Sequence, residues 1–315
     1  MSDTTASLVR KIKSAGDLHS VVRTMKAIAG SRITQYENSV RALDDYYKSV
    51  ELALSVYFRQ NTHNGLANAG YLYTARTQPQ PHTQSHTQAN IISSAVVFGS
   101  DQGLVGQFNQ VLAEYVAKSL TILPGKLQIW AVGERVHARL LAEGLPVAGL
   151  FTVPTSVKAI VPLVGRIQVE SRMQDIDHQD ASFFVFHNCP QPGGSYQPVK
   201  RRLLPLDAQW QQDLANVFWP NRNLPEVIPA GTATLRTLIG EYLFISIFRA
   251  CAESLASENA SRLAAMTRAE RNIDKLSDSL LATFHRLRQD GIDEELFDVV
   301  SGYEALGGYG MRFTL

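Results

Sequence analysis

Three glycines, Gly99, Gly103 and Gly106, follow an apolar run, Ser94 to Phe98, and open an amphipathic segment that runs through Leu120. A glycine-rich turn between a strand and a helix is where backbone amides can cradle phosphate. The spacing matches neither G-x-G-x-x-G nor G-x-x-x-x-G-K-[ST], and no lysine follows Gly106, so nucleotide binding here is not expected. A tight turn in which Asp101 caps nearby amides is the expectation instead. Ser100 and Asp101 have no histidine partner readable from sequence, and G-x-S-x-G does not occur. Asp293, Glu294 and Glu295 are consecutive, so on a helix they point in different directions. That suits a solvated or partner-facing surface better than paired acid–base chemistry. His82 and His86 stand in a polar low-complexity segment with no third ligand and read as solvated loop residues. Cys189 and Cys251 are far apart, form no C-x-x-C, and read as reduced and structural. Neither a catalytic group, a metal-ligand set nor a cofactor is therefore expected.

The elements around these residues are more informative. From Leu8 to Phe58 apolar positions recur in alternating steps of four and three without a slip: Leu8, Ile12, Ala15, His19, Val22, Lys26, Ala29, Ile33, Tyr36 and so on to Tyr57. No proline interrupts the run, and Gly16 and Gly30 each cost only about 1 kcal/mol. This is a coiled-coil seam on one long helix. Its interruptions, His19 and Lys26, mark a place where the helix is out of phase with its mate or faces something else. Thr232 to about Tyr303 carries the matching seam, Leu263, Met266, Ile273, Leu280, Phe284 and Leu287, with polar slots at Asn259, Glu270 and Ser277. Between the two helices, strand and helix signals alternate. Strands are expected at Ser94–Phe98, Leu127–Val132, Ala181–Asn188 and Val199–Leu206, and helices at Glu134–Glu143 and Val157–Val169. The expected fold is α/β: an antiparallel two-helix coiled coil of the chain's two ends, with an inserted Rossmann-like α/β domain. The boundaries read as 1–60 for the first helix, 61–90 for a polar loop, 91–206 for the globular foot, 207–231 for a connector, 232–306 for the second helix and 307–315 for a tail.

A chain of 315 residues can bury a sizeable core. Its net charge of +1 excludes a globally basic nucleic-acid binder, although over residues 10–32 of the first helix Arg10, Lys11, Lys13, Arg23, Lys26 and Arg32 stand against a lone Asp17. The first residues lack an apolar signal core, and no uncharged apolar run reaches the roughly 20 residues of a membrane span. The expectation is a soluble chain that reaches a membrane only through partners.

Three blocks of sequence resemble the γ subunit of F-type rotary ATP synthases. Arg10-Lys11-Ile12-Lys13-Ser14 through Thr24-Met25-Lys26-Ala27-Ile28-Ala29 is similar to that family's I-x-x-R-I-x-S-V…K-I-T-x-A-M-K-M-V-A. Ser100 to Asn109 (SDQGLVGQFN) resembles S-D-R-G-L-C-G-x-[FY]-N. Glu253 to Met266 (ESLASENASRLAAM), with Arg288-Gln289 and Ile292 to Leu296, resembles E-S-x-A-S-E-x-A-A-R-M-x-A-M…A-R-Q-x-x-I-T-x-E-[IL]. Gln102, Val105 and Asp293 depart from the pattern. The resemblance implies a non-catalytic central-stalk rotor that couples ion flow to ATP synthesis or hydrolysis. Its coiled coil would lie in a ring of three α and three β subunits, and its foot would meet the ε subunit and the membrane c-ring. By the same resemblance, Arg23, Met25 and Lys26 would face the lever regions of β, and Arg288 and Gln289 would meet a β loop higher in the ring. The implied location is peripheral, on the cytoplasmic face of a bacterial inner membrane. A coiled-coil scaffold with an α/β ligand-binding insert and no rotary role is the competing reading.

Overall fold

A computed structural model describes residues 4–63, 92–120, 126–171, 182–192, 194–206, 208–221, 223, 225, 227 and 232–307. The polar loop with His82 and His86, and the tail beyond Gly307, lie outside the described residues. The elements run α1 (Thr5–His63), β1 (Ile92–Phe98), α2 (Phe108–Leu120), β2 (Lys126–Val132), α3 (Glu134–Ala142), β3 (Val147–Phe151), a 3-10 turn at Val157–Ala159, α4 (Ile160–Glu170), β4 (Ser182–Gln191), β5 (Ser195–Leu204), α5 (Ala208–Ala215) and α6 (Thr232–Gly307). Two compact units divide the chain: Met1–Ile28 with Ala265–Leu315, and Ala29–Ala264.

In the larger unit the sheet order is β3-β2-β1-β4-β5. The first four strands are parallel, and β5 returns antiparallel to β4. The alternation of the strands sorts their side chains to two faces. Ala95, Val97, Ile129, Ala131, Phe184 and Phe186 pack on α2 and α3 through Leu112, Val116, Val136 and Leu140. Val96, Phe98, Trp130, Val132, Phe183 and Val185 face α4, α1 and α6. The inserted domain is therefore covered on both sides, as a largely parallel sheet requires. Residues 250–259 of α6 are buried all round, because the helix has the sheet on one side and α1 on the other.

Two elements differ from the sequence-based expectation. β3 lies where Gly144 and Pro146 suggested only a helix stop; Gly149 in its middle admits the Trp130 ring, 3.1 Å from where a Cβ would stand. The residue that weakens the strand signal is the one the packing needs. α5 stands within the expected connector, with Leu214 buried against the core and Trp210 beside it. The third expected strand extends to Gln191, and the fourth starts earlier, at Ser195, after a turn with Gly194 at φ 75°.

In the smaller unit the first part of α1 and the last part of α6 run antiparallel. Lys26 Nζ donates to Glu270 Oε2 at 2.6 Å, and His19 lies 3.4 Å from Asp274, so α1 numbers fall as α6 numbers rise. The heptad register holds: from Leu8 to Tyr57 every seam position is buried or half-buried, and most residues between seam positions are exposed. The polar seam residues are paired across the helices rather than turned away. The Lys26 ammonium beside Glu270 holds that carboxyl below its ordinary range.

Candidate functional site

The glycine-rich turn lies at the carboxyl end of β1, beside β4. In a sheet ordered 3-2-1-4-5 the connections reverse direction between these two strands, and open α/β sheets bind ligands in the crevice at that point. Here α6 fills it. Ser254 Oγ donates to the carbonyl of Phe98, the last residue of β1, at 2.9 Å. Ser257 Oγ donates to the carbonyl of Asn188 in β4 at 2.9 Å. Ser261 Oγ donates to the carbonyl of Val105 in the turn at 2.6 Å. Steps of three and four place these buried serines on one face of α6. Carbonyls that would otherwise meet a ligand or water are satisfied by the chain's own helix.

The turn is built to receive that helix. Asn109 Oδ1 accepts the Ser100 N–H at 3.0 Å, and its Nδ2 donates to Ser100 Oγ at 2.8 Å. Asp101 caps amides, but distant ones and not those of its own turn: its carboxylate accepts the N–H of Glu134, the first residue of α3, and the N–H of Val153, both at 2.9 Å. Gly99 is required by close approach, since a Cβ would stand 2.3 Å from Val136 Cβ. Gly133, at φ 115°, passes within 2.7 Å of the Ser100 backbone at its absent Cβ. The motif is thus a joint between sheet, α3 and α6, not a phosphate cradle.

A buried ion cluster stands one residue before the serines. Glu253 accepts from His187 Nε2 at 2.8 Å, from Arg201 Nη2 at 3.1 Å and from Arg249 Nε at 2.8 Å. Arg249 Nη1 also reaches Asp44 Oδ1 on α1 at 3.1 Å. Burial alone would raise the Glu253 carboxyl; the His187 hydrogen bond and the two guanidiniums outweigh it and hold the pKa at about 2. Burial pushes the His187 pKa down, so the imidazole is neutral and donates its Nε2 proton to a carboxylate. His187, Cys189 and Glu253 present atoms within 4.8 Å of one another. The two guanidiniums already supply the positive charge a metal ion would bring, and they oppose a cation there. Further along α6, Arg262 Nη2 donates to Glu258 Oε1 at 2.6 Å, both side chains buried. Burial raises the Glu258 pKa against the pull of Arg262.

The residues expected to make subunit contacts lie elsewhere, in the smaller unit. Arg23 is exposed, and Met25 and Lys26 are half-buried on the same turn of α1, with Lys26 engaged by Glu270. Arg288 and Gln289 are exposed on α6, about five turns beyond Glu270. The structure does not bring the two groups together. Asp293, Glu294 and Glu295 are exposed, as is most of the last stretch of α6, including Leu296, Phe297, Val299 and Tyr303. Sequence reasoning assigned no role to His187, Arg201 or Arg249, and quoted the serines only as part of a block. The available signal was Ser254, Ser257 and Ser261 on one helical face, next to a glutamate with an arginine four residues before it.

A family model described as ATP synthase matches residues 4–306. The chain belongs to the ATP synthase γ-chain family. The ATP synthase gamma chain of Anaeromyxobacter dehalogenans is 24% identical over 300 residues, covering 94% of this chain and 97% of the relative. That of a Parafrankia species is 27% identical over 307 residues, covering 94% and 96%. Among solved structures, the rotor of the Euglena gracilis mitochondrial ATP synthase aligns with a TM-score of 0.57 at 15% identity, covering 91% of this chain and 98% of that one. The central stalk of the Tetrahymena thermophila enzyme aligns at 0.50 and 17% identity, covering 79% and 99%. These likenesses support the γ-chain fold: long terminal helices around a mixed α/β domain. Glu253, the centre of the ion cluster, and the three serines lie within the block that resembled the γ subunit most fully, so in this γ chain that block serves to fix α6 to the foot. Among the described residues no helix is long and apolar enough to cross a membrane.

Proposed function

We propose that this γ chain is the central-stalk rotor of an F-type ATP synthase, turning inside a ring of three α and three β subunits. The observation that carries the reading is the end of α6. Ile292, Leu296, Phe297, Val299 and Tyr303 are 54–78% exposed on a helix whose earlier apolar residues, such as Leu235, Ile239, Leu243, Ile247 and Leu255, are buried. Exposed apolar surface of this kind marks an interaction site, and a surrounding ring would cover it from all sides. The chain itself is non-catalytic in this reading, with nucleotide chemistry on the ring. Its foot would meet ε and the c-ring at the cytoplasmic face of a bacterial inner membrane, and it would approach the membrane only through those partners.

In the same reading Arg23, Met25 and Lys26 face the moving regions of β, and exposed Arg288 and Gln289 offer donors to a β loop. Lys26 can serve a partner only by sharing or leaving Glu270. Native mass spectrometry of the complex captured on this chain tests the proposal. One copy with three α and three β subunits is expected. A homo-oligomer, or a monomer with no nucleotide-binding partners, would overturn it in favour of the scaffold reading.

A further inference from the structure

In the smaller unit α6 outruns its partner helix. Lys26 lies against Glu270 and His19 against Asp274. The two helices run antiparallel with the same rise per residue, so Thr5, where α1 begins, stands level with about Arg288. The apolar seam does not stop there. Ile292, Leu296, Val299 and Tyr303 continue in steps of four, three and four, which is one face of a helix, and all four are exposed.

The charge changes at the same point. From Ala265 to Arg288, α6 carries five Lys or Arg and three Asp or Glu. From Gln289 to Gly307 it carries Asp290, Asp293, Glu294, Glu295, Asp298 and Glu304, and no Lys or Arg. All six are exposed, and among the described residues none has an ion pair. Successive residues advance about 100° around a helix, which places the six carboxylates on the flanks and back of the apolar stripe and none within it.

Such a stretch is a poor helix by itself. Asp290, Glu294 and Asp298 are like charges at steps of four, which repel. Glu304 stands in a last turn that has no basic residue, at the end of the helix dipole that favours cations. Gly291 and Gly302 weaken the helix further. Several local rules broken together call for a contact that offsets them. In the central-stalk reading that contact is the surrounding ring, which covers the carboxylates together with the apolar stripe. Carboxylates enclosed by an apolar or acidic wall would lose hydration and gain nothing.

We propose that the part of the ring enclosing the end of α6 is a cationic sleeve, with Lys and Arg side chains set among its apolar ones. The inference rests on the ring reading and goes past it, because the exposed apolar residues alone ask only for an apolar sleeve. The test uses the full-length chain. Asp290→Asn/Glu294→Gln/Asp298→Asn removes the carboxylates at steps of four and keeps the apolar stripe. It also removes their mutual repulsion, so the free chain is not weakened. The variant competes with labelled wild-type chain for assembly into a ring of α and β subunits, at about 0.05 M and about 0.5 M salt. The wild type should win by about ten-fold or more at the lower salt, with the advantage shrinking towards parity at the higher. Asp290→Lys/Glu294→Lys/Asp298→Lys should lose by more. Parity at both salts, or a variant that outcompetes the wild type, overturns the cationic sleeve and leaves the ring reading standing. A wild-type chain that does not assemble with the ring overturns both.

Discussion

Replacing Glu253 by glutamine tests whether the ion cluster holds α6 on the sheet. The carboxylate is 8% exposed and receives three hydrogen bonds, at 2.8, 3.1 and 2.8 Å. An amide of nearly the same shape keeps one acceptor oxygen but turns an NH2 donor towards guanidinium donors. Removing one partner of a buried pair costs about 3–5 kcal/mol, because the remaining charge is left uncompensated. Arg201 and Arg249 are each about a third exposed and can recover some hydration, which places the expected loss near the low end, about 3 kcal/mol. The acid behaviour gives an independent reading. The Glu253 pKa falls from 4.5 to about 2 on folding. A depressed carboxyl stabilises the fold above its unfolded pKa and loses that contribution as pH falls through the folded one. At about 1.4 kcal/mol per unit, the shift corresponds to about 3 kcal/mol present at pH 7 and lost between pH 4.5 and 2. His187, whose pKa burial lowers from 6.5, also costs stability as pH falls below 6.5, so the Glu253 part is read from the difference between wild type and Glu253→Gln. Urea unfolding followed by the fluorescence of buried Trp130 measures both effects. Wild type and Glu253→Gln should differ by about 3 kcal/mol at pH 7 and converge near pH 2. A difference below about 0.5 kcal/mol at pH 7, or one that stays constant through the acid range, would refute the reasoning.

Further predictions concern the joint and the contact residues. Alanine at Ser254, Ser257 and Ser261 together should cost about 2–4 kcal/mol of unfolding free energy, since each hydroxyl–carbonyl bond contributes about 1 kcal/mol; additive single-variant losses would support independent bonds. Gly99→Ala should destabilise by more than 2 kcal/mol, on the order of an overpacked core, and adding Val136→Ala should recover part of it in the same unfolding assay. Arg288→Ala with Gln289→Ala should leave the isolated chain's stability within about 0.5 kcal/mol while weakening assembly or ATP-driven rotation; an equal loss of folding stability would remove the contact assignment.

The long helices were legible because a heptad repeat depends only on local spacing, and the same residues that set the period, from Leu8 to Tyr57, are the ones the structure buries. The capping role of Asp101 was legible only as to its chemistry, because the amides it caps, Glu134 and Val153, are brought to it by the fold and not by spacing. β3 was not, because its glycine is explained by Trp130 on another strand. The ion cluster joins His187, Arg201, Arg249 and Glu253 from two strands and a helix, and no spacing in the chain announces that meeting. The low histidine pKa follows from burial, which sequence alone assigns poorly to a lone histidine at a strand end.

The filled crevice carries a mechanical consequence. Ser254 and Ser257 fasten α6 to β1 and β4, neither of which is an edge strand of the sheet. A torsional load on α6 is therefore delivered to strands braced by neighbours on both sides, where backbone bonds must yield together in shear and cannot be peeled from an edge one at a time. A crevice that in other folds is kept vacant for a diffusible ligand has become a keyed mount, and its stiffness limits how much twist the helix can lose before the foot turns with it.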